Sequence, residues 1–176
     1  MPSSLLALNE IFGLPAHPLL VHAAVVLIPV GAITMLLAIW PRLRRTMLVT
    51  TAVLAVSGAV FILAAANTGG ALEEAKEGAA NRALINEHAE AGEKAQAPAV
   101  IFASIAVLAL GAELLKGRNR TFKGKSMPKW APAALLAGTI VTGGISAYTV
   151  IDAGHTGAKS VWDGTKISSE SGDHRG

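Results

Sequence analysis

Four long apolar runs alternate with polar segments along this chain, and none of the runs contains Asp, Glu, Lys or Arg. A helix that crosses a bilayer needs about 20 mostly apolar residues. The third run is short, and its helix must extend past Glu113 to Leu114 and Leu115. We therefore expect an all-α, four-helix transmembrane bundle with up-down-up-down topology. The predicted helices cover about residues 18–40, 46–66, 97–115 and 131–152.

The composition agrees with a membrane protein. Hydrophobic residues make up 52% of the 176 residues, charged residues make up 15%, and the mean hydropathy is +0.48. The chain has no cysteine, which excludes disulfides, thiolate metal sites and covalent c-type haem attachment. Imidazole, carboxylate and backbone oxygen are therefore the ligands left to any metal.

The basic residues are concentrated in two of the predicted loops. Arg42, Arg44 and Arg45 lie in the first loop, and six lysines and arginines lie between residues 116 and 129. The loop between the second and third helices is rich in glutamate instead. Because basic loops stay in the cytoplasm, we expect both termini on the outer, periplasmic side. Topology explains these residues, so we expect no nucleic-acid binding.

The rest of the chain divides around this membrane domain, which we place at residues 17–165. Residues 1–16 predict an outer interfacial segment, and residues 166–176 predict a disordered tail. The outer loop, 67–96, has the composition of an amphipathic helix, either separate from the third membrane helix or merging with it at Pro98. Asn67-Thr68-Gly69-Gly70 is expected to end the second helix.

Two weaker patterns concern packing. Ala134, Gly138, Thr142 and Ser146 are four residues apart in the fourth helix, a stripe that lets a neighbouring helix approach or makes room for a flat cofactor. Each half of the chain also runs histidine, apolar helix, basic loop, apolar helix and then Thr-Gly, at Thr68-Gly69 and Thr156-Gly157. Two hairpins related by a two-fold axis along the membrane normal would give this repetition.

Four histidines occupy positions that this topology brings to the outer side of the bundle. His17 and His22 lie at the start of the first helix, His88 lies in the outer loop, and His155 follows the apolar part of the fourth helix. Ionisable residues near membrane segments are functional-site candidates. His22 is either a ligand or a structural hydrogen-bonding residue. His17 is a helix cap, a ligand or a donor that orients another imidazole.

Imidazoles on facing helices suit haem b, which needs two axial ligands and no cysteine. Zinc or copper would also accept imidazoles from His22, His88 and His155, with Glu90 or Asp152 as an oxygen ligand. The chain contains no HExxH, Walker, GxGxxG or GxSxG motif. We therefore predict a cofactor-binding site without independent catalytic activity.

The segment His17-Pro18-Leu19-Leu20-Val21-His22, followed by a helix containing Pro29, resembles a known bacterial family. His88 within residues 86–92 and Gly154-His155-Thr156-Gly157 fit the same group. The chain resembles the small four-helix membrane proteins that form the family of unknown function numbered twenty-two thirty-one. The resemblance covers about residues 13–164.

The resemblance implies an integral protein of the bacterial cytoplasmic (inner) membrane with no settled activity. Some similar proteins are fused to Rieske-type or cytochrome-like domains, which implies a role near electron transfer. The resemblance implies that the histidines recurrent in the family correspond to His17, His22, His88 and His155 in this chain. A further histidine-glycine often follows in that family, but Trp162-Asp163-Gly164 stands there in this chain.

Together, these features lead to two functional hypotheses. The first is a haem b or metal-binding redox subunit with an outer-face site in which His22 and His88 are the first ligand pair and His155 is the next ligand. The second is a non-catalytic accessory subunit of a larger respiratory or photosynthetic membrane complex. The expected partners are the lipid bilayer and either such a redox complex or further copies of the chain.

Overall fold

A computed structural model of the chain describes residues 10–11, 14–75, 82–116, 128 and 130–162. Most of the predicted interfacial segment 1–16, all of the predicted tail 166–176 and most of the second basic loop lie outside these residues. Before the first helix, strands β1 (Glu10–Ile11) and β2 (Leu14–Pro15) pair in antiparallel fashion.

The described residues form four helices, each long and apolar enough to span a membrane. They are α1 (Ala16–Leu37), α2 (Arg44–Ala75), α3 (Arg82–Lys116) and α4 (Ala131–Trp162). The prediction of an all-α, four-helix transmembrane fold is confirmed. Large apolar side chains are exposed along all four helices, and such surfaces face the hydrocarbon of a bilayer.

Three helices extend beyond their apolar runs. Gly69 and Gly70 lie inside α2 rather than at its end, Pro98 lies inside α3, and the GHTG segment lies inside α4. The polar outer loop is therefore largely a continuation of α2 and α3, so its helix merges with the third membrane helix. Helix-breaking propensity is a weak local preference that tertiary packing overrides.

The bundle consists of two hairpins, α1 with α2 and α3 with α4, which meet through the α2–α3 and α4–α1 contacts. Phe102 is fully buried at the centre between Gly31 and Gly143. Ile28 lies directly over Gly58. Small residues therefore let large core side chains fill the space between closely approaching helices.

The two hairpins repeat the same burial pattern. Buried positions in α1 recur 71 residues later in α3, as in Ala24/Ala95, Ile28/Ala99, Gly31/Phe102 and Met35/Ala106, and the buried Ala38 directly after α1 corresponds to Ala109. Buried positions in α2 recur 88 residues later in α4, as in Thr51/Thr139, Ala55/Gly143, Ile62/Val150, Ala65/Ala153 and Thr68/Thr156. The repetition expected from the sequence therefore extends to the packed interior.

The small-residue stripe of α4 serves packing within the bundle along part of its length. A Cβ atom at Gly138 would lie 3.7 Å from Cγ2 of Ile105 in α3. Ser146 is fully buried, whereas Ala134 is exposed. The middle of the stripe therefore provides close approach between helices.

Candidate functional site

Two of the four candidate histidines meet at one end of the bundle. His17 lies in the first turn of α1 and His88 lies in the second turn of α3. Their ring centroids are 5.9 Å apart and their planes make an angle of 78°. Both rings are half-buried. Each hairpin therefore contributes one imidazole to the pair.

Each imidazole is fixed by a hydrogen bond to the other helix of its own hairpin. Nδ1 of His17 lies 2.9 Å from the carbonyl oxygen of Ala65, and Nδ1 of His88 lies 3.0 Å from that of Ala153. A carbonyl only accepts, so Nδ1 is the protonated donor in both rings. In the neutral imidazole this leaves Nε2 with a lone pair.

A threonine shares each of these carbonyl oxygens. Oγ1 of Thr68 donates to Ala65 at 3.0 Å, and Oγ1 of Thr156 donates to Ala153 at 3.0 Å. Oγ1 of Thr156 also lies 3.5 Å from Nδ1 of His88. The histidine and the threonine thus converge on one acceptor in each hairpin.

A glycine one residue later makes room for each ring. A Cβ atom at position 69 would lie 3.1 Å from Cε1 of His17, and one at position 157 would lie 2.9 Å from Cε1 of His88. Real Cβ atoms are rarely this close to another heavy atom. The absence of a side chain at Gly69 and Gly157 therefore lets the imidazoles lie close against α2 and α4.

The Thr-Gly repetition is visible in the sequence, but its role is not. The sequence predicts a helix end at Thr68-Gly69, whereas in the structure this segment contacts the imidazole of His17 in the other helix of the hairpin. The recurrence of Thr-Gly at Thr156-Gly157 in the second half is the signal that the sequence offers. The acceptors are backbone carbonyl oxygens of Ala65 and Ala153. Because every residue has such a group, the sequence does not mark these two.

The other two candidate histidines have different surroundings. His22 is exposed, and its Nδ1 lies 2.6 Å from the carbonyl oxygen of Pro18 in the same helix. His155 is exposed on α4, as are the two candidate oxygen ligands, Glu90 and Asp152. Across the described residues, no group of three or more His, Asp or Glu side chains is placed to hold one metal ion.

The histidine pair lies outside the apolar core of the bundle. In α3, the charged residues Glu90, Glu93 and Lys94 separate His88 from the apolar run that begins at Ala97. Glu87, which precedes His88 in the sequence, forms a salt bridge with Lys159 of α4, with 3.7 Å between Oε2 and Nζ. This composition is typical of the polar boundary of a membrane, where water and small ions reach a site.

The fold and its lipid-facing surface define a multi-pass membrane protein of four apolar helices. A family model described as "Predicted membrane protein (DUF2231)" matches residues 13–167. The chain belongs to the DUF2231 family. No curated protein and no solved structure matches the chain significantly.

Proposed function

We propose that this protein is a metal-binding membrane subunit with an electron-transfer role, and that Nε2 of His17 and Nε2 of His88 are its ligands. The observation that supports the proposal is the anchoring of both Nδ1 atoms to backbone carbonyls, 2.9 and 3.0 Å away. Histidines that bind metals characteristically use one nitrogen for the metal and donate the other N–H to a fixed acceptor.

The separation of the rings suits one shared ion. At metal–nitrogen distances of about 2.0–2.1 Å, two imidazoles on one ion have centroids about 5–6 Å apart, and those of His17 and His88 are 5.9 Å apart. Copper and zinc both accept imidazole nitrogen. Copper is our first choice because zinc has no redox chemistry. Water or a partner molecule would complete the coordination.

Haem b fits this packing less well, although it would use the same two nitrogens. A macrocycle needs a flat slot between its axial ligands, and the interior next to the pair is filled by small buried residues. Ala91 and Ala95 follow His88 by one and two turns of α3, and Ala24 follows His17 by two turns of α1, all with at most 6% exposure. Haem binding would require the hairpins to separate.

The electron-transfer role and the orientation are parts of the same proposal. A site at the polar boundary is accessible to an electron donor or acceptor in water or at the membrane surface. The family resemblance implies that some similar proteins are fused to Rieske-type or cytochrome-like domains, and this supports a redox setting. The basic residues Arg42, Arg44 and Arg45 at the opposite end support a periplasmic position for the histidines in a bacterial cytoplasmic membrane.

The test is metal analysis of the full chain purified in mild detergent, with visible spectra before and after reduction with dithionite. We expect one copper or zinc ion per chain, and its loss in the variants His17→Ala and His88→Ala. The variants His22→Ala and His155→Ala are matched controls that should keep the ion.

Each other outcome has a defined meaning. Loss of the ion in His22→Ala or His155→Ala would restore the larger histidine cluster expected from the sequence. A Soret band with sharp reduced α and β bands would establish haem b instead. Protein absorbance alone, with no bound metal after supplementation with copper, zinc and haem, would refute the proposal.

A second candidate is an accessory subunit of a larger membrane complex, and the lipid-facing surface of α4 favours it. A Cβ atom at Gly144 would meet no other atom within 4 Å, and Val141, Ile145 and Tyr148 surround it with exposed apolar surface. A partner helix approaches closely at such a glycine. If Gly144→Leu abolishes co-purification of a membrane complex while metal binding is unchanged, the accessory function is supported.

A further inference from the structure

A cavity of about 170 Å³ opens at the end of the bundle opposite the histidines. Its walls come from the first turns of α2 and α4 and from the last turns of α3. Trp40 and Trp130 are exposed at the same end. Tryptophans collect at the level of lipid headgroups, so the cavity lies at the membrane surface.

The cavity combines apolar walls with a fixed arginine. Leu48, Leu136 and Arg44 are among the residues that line it. Nε of Arg44 donates to the carbonyl oxygen of Ala38 at 3.2 Å and Nη2 donates to that of Ile39 at 3.3 Å. These bonds hold the guanidinium in place at the C-terminal end of α1, and its Nη1 donors bond no acceptor within the part of the chain that the structure describes.

The electrostatics of the cavity favour an anion. Arg42 and Arg45 are exposed on either side of Arg44 in the sequence, and neither has a hydrogen-bonding partner among the described residues. The N-termini of α2 and α4 also border the cavity, and their dipoles favour negative charge. One acid, Glu113, lines the cavity and opposes this field. Arg44 and Glu113 are the charged residues of the lining, and Arg42 and Arg45 add positive charge beside Arg44 along the chain.

We propose that this cavity binds an anionic phospholipid, with its phosphate at Arg44 and the neighbouring arginines and its glycerol and first acyl carbons against Leu48 and Leu136. The location at headgroup level and the apolar walls argue for a lipid rather than for a free phosphate. Basic pockets between transmembrane helices recognise anionic headgroups in this way. The proposal is independent of the metal site.

The test is native mass spectrometry of the full chain released from bilayers that contain equal amounts of phosphatidylglycerol and phosphatidylcholine. We expect phosphatidylglycerol to be retained preferentially. The double variant Arg42→Gln/Arg45→Gln should reduce its retention about 10-fold. Arg44 is left intact, because its bonds to α1 make a folding defect the expected result of its removal.

The matched control is Arg82→Gln/Lys94→Gln, which removes two exposed positive charges at the histidine end and should leave retention unchanged. Equal retention of the two lipids by the native chain would overturn the proposal. An equal loss in the control variant would show attraction by net charge alone and would also overturn it. Displacement of the lipid by millimolar glycerol 3-phosphate would assign the site to soluble phosphates instead.

Discussion

Nδ1 of His88 lies 3.0 Å from the carbonyl oxygen of Ala153, and this bond connects the polar end of α3 to α4. An equivalent hydrogen bond forms in the other hairpin, where Nδ1 of His17 lies 2.9 Å from the carbonyl oxygen of Ala65. Both bonds orient an imidazole before any ligand arrives. The ligand that we propose would therefore meet two rings whose orientations are already set by the protein.

Substitution of Gly157 by alanine should displace the His88 ring, because the new Cβ would lie 2.9 Å from its Cε1. We expect a destabilisation of about 1–3 kcal/mol, typical of overpacking, together with weaker metal binding. Thermal unfolding and a metal titration in the same detergent measure the two effects.

The matched control for this variant is Gly92→Ala in α3. No atom lies within 4 Å of a Cβ built at Gly92, so alanine there should be neutral or stabilising by up to about 1 kcal/mol. Equal behaviour of the two variants would contradict the contact between Gly157 and His88.

Substitution of Thr156 by valine removes a hydroxyl that shares the Ala153 carbonyl with His88. We expect metal affinity to fall about 10–100-fold, as is typical when a group that supports a metal-binding histidine is lost. Isothermal titration calorimetry provides the measurement. Thr149→Val removes a similar hydroxyl bond in the same helix, to Ser146, and an equal loss of affinity in that variant would argue against a specific role for Thr156.

Acidification should release the proposed ion, because a protonated Nε2 has no lone pair to donate. Protons compete with the ion at both Nε2 atoms, so we expect the affinity for the metal to fall steeply as the pH is lowered. Metal retention after dialysis between pH 8 and pH 5 tests this. If the amount of bound metal does not change with pH, imidazole ligation is excluded.

Substitution of Phe102 by alanine should cost about 3–5 kcal/mol of stability, because its ring is fully buried between Gly31 and Gly143. Leu108→Ala in the same helix is the control, since Leu108 is 59% exposed and faces the lipid. Unfolding by increasing concentrations of a denaturing detergent should show a much smaller loss of stability for Leu108→Ala than for Phe102→Ala. Equal losses would contradict the central position of Phe102.

The sequence by itself determined the membrane class, the number of helices and the family. Each span is a continuous apolar segment, and the free energy of burying it in lipid depends on local composition alone. The segment His17–His22 and the later GHTG segment carried the family resemblance, which the family match over residues 13–167 confirms. The histidines were also identified as candidates, since polar residues beside apolar runs stand out.

Only the tertiary structure decided which histidines meet. His17 and His22 are five residues apart, which separates them by about 140° around a helix, so at most one of them points toward the axis of the bundle. A membrane helix is apolar on its lipid-facing side as well as on its packed side, so the sequence pattern does not mark the inward face. Contacts with Gly69 and the Ala65 carbonyl turn His17 inward, whereas His22 remains exposed.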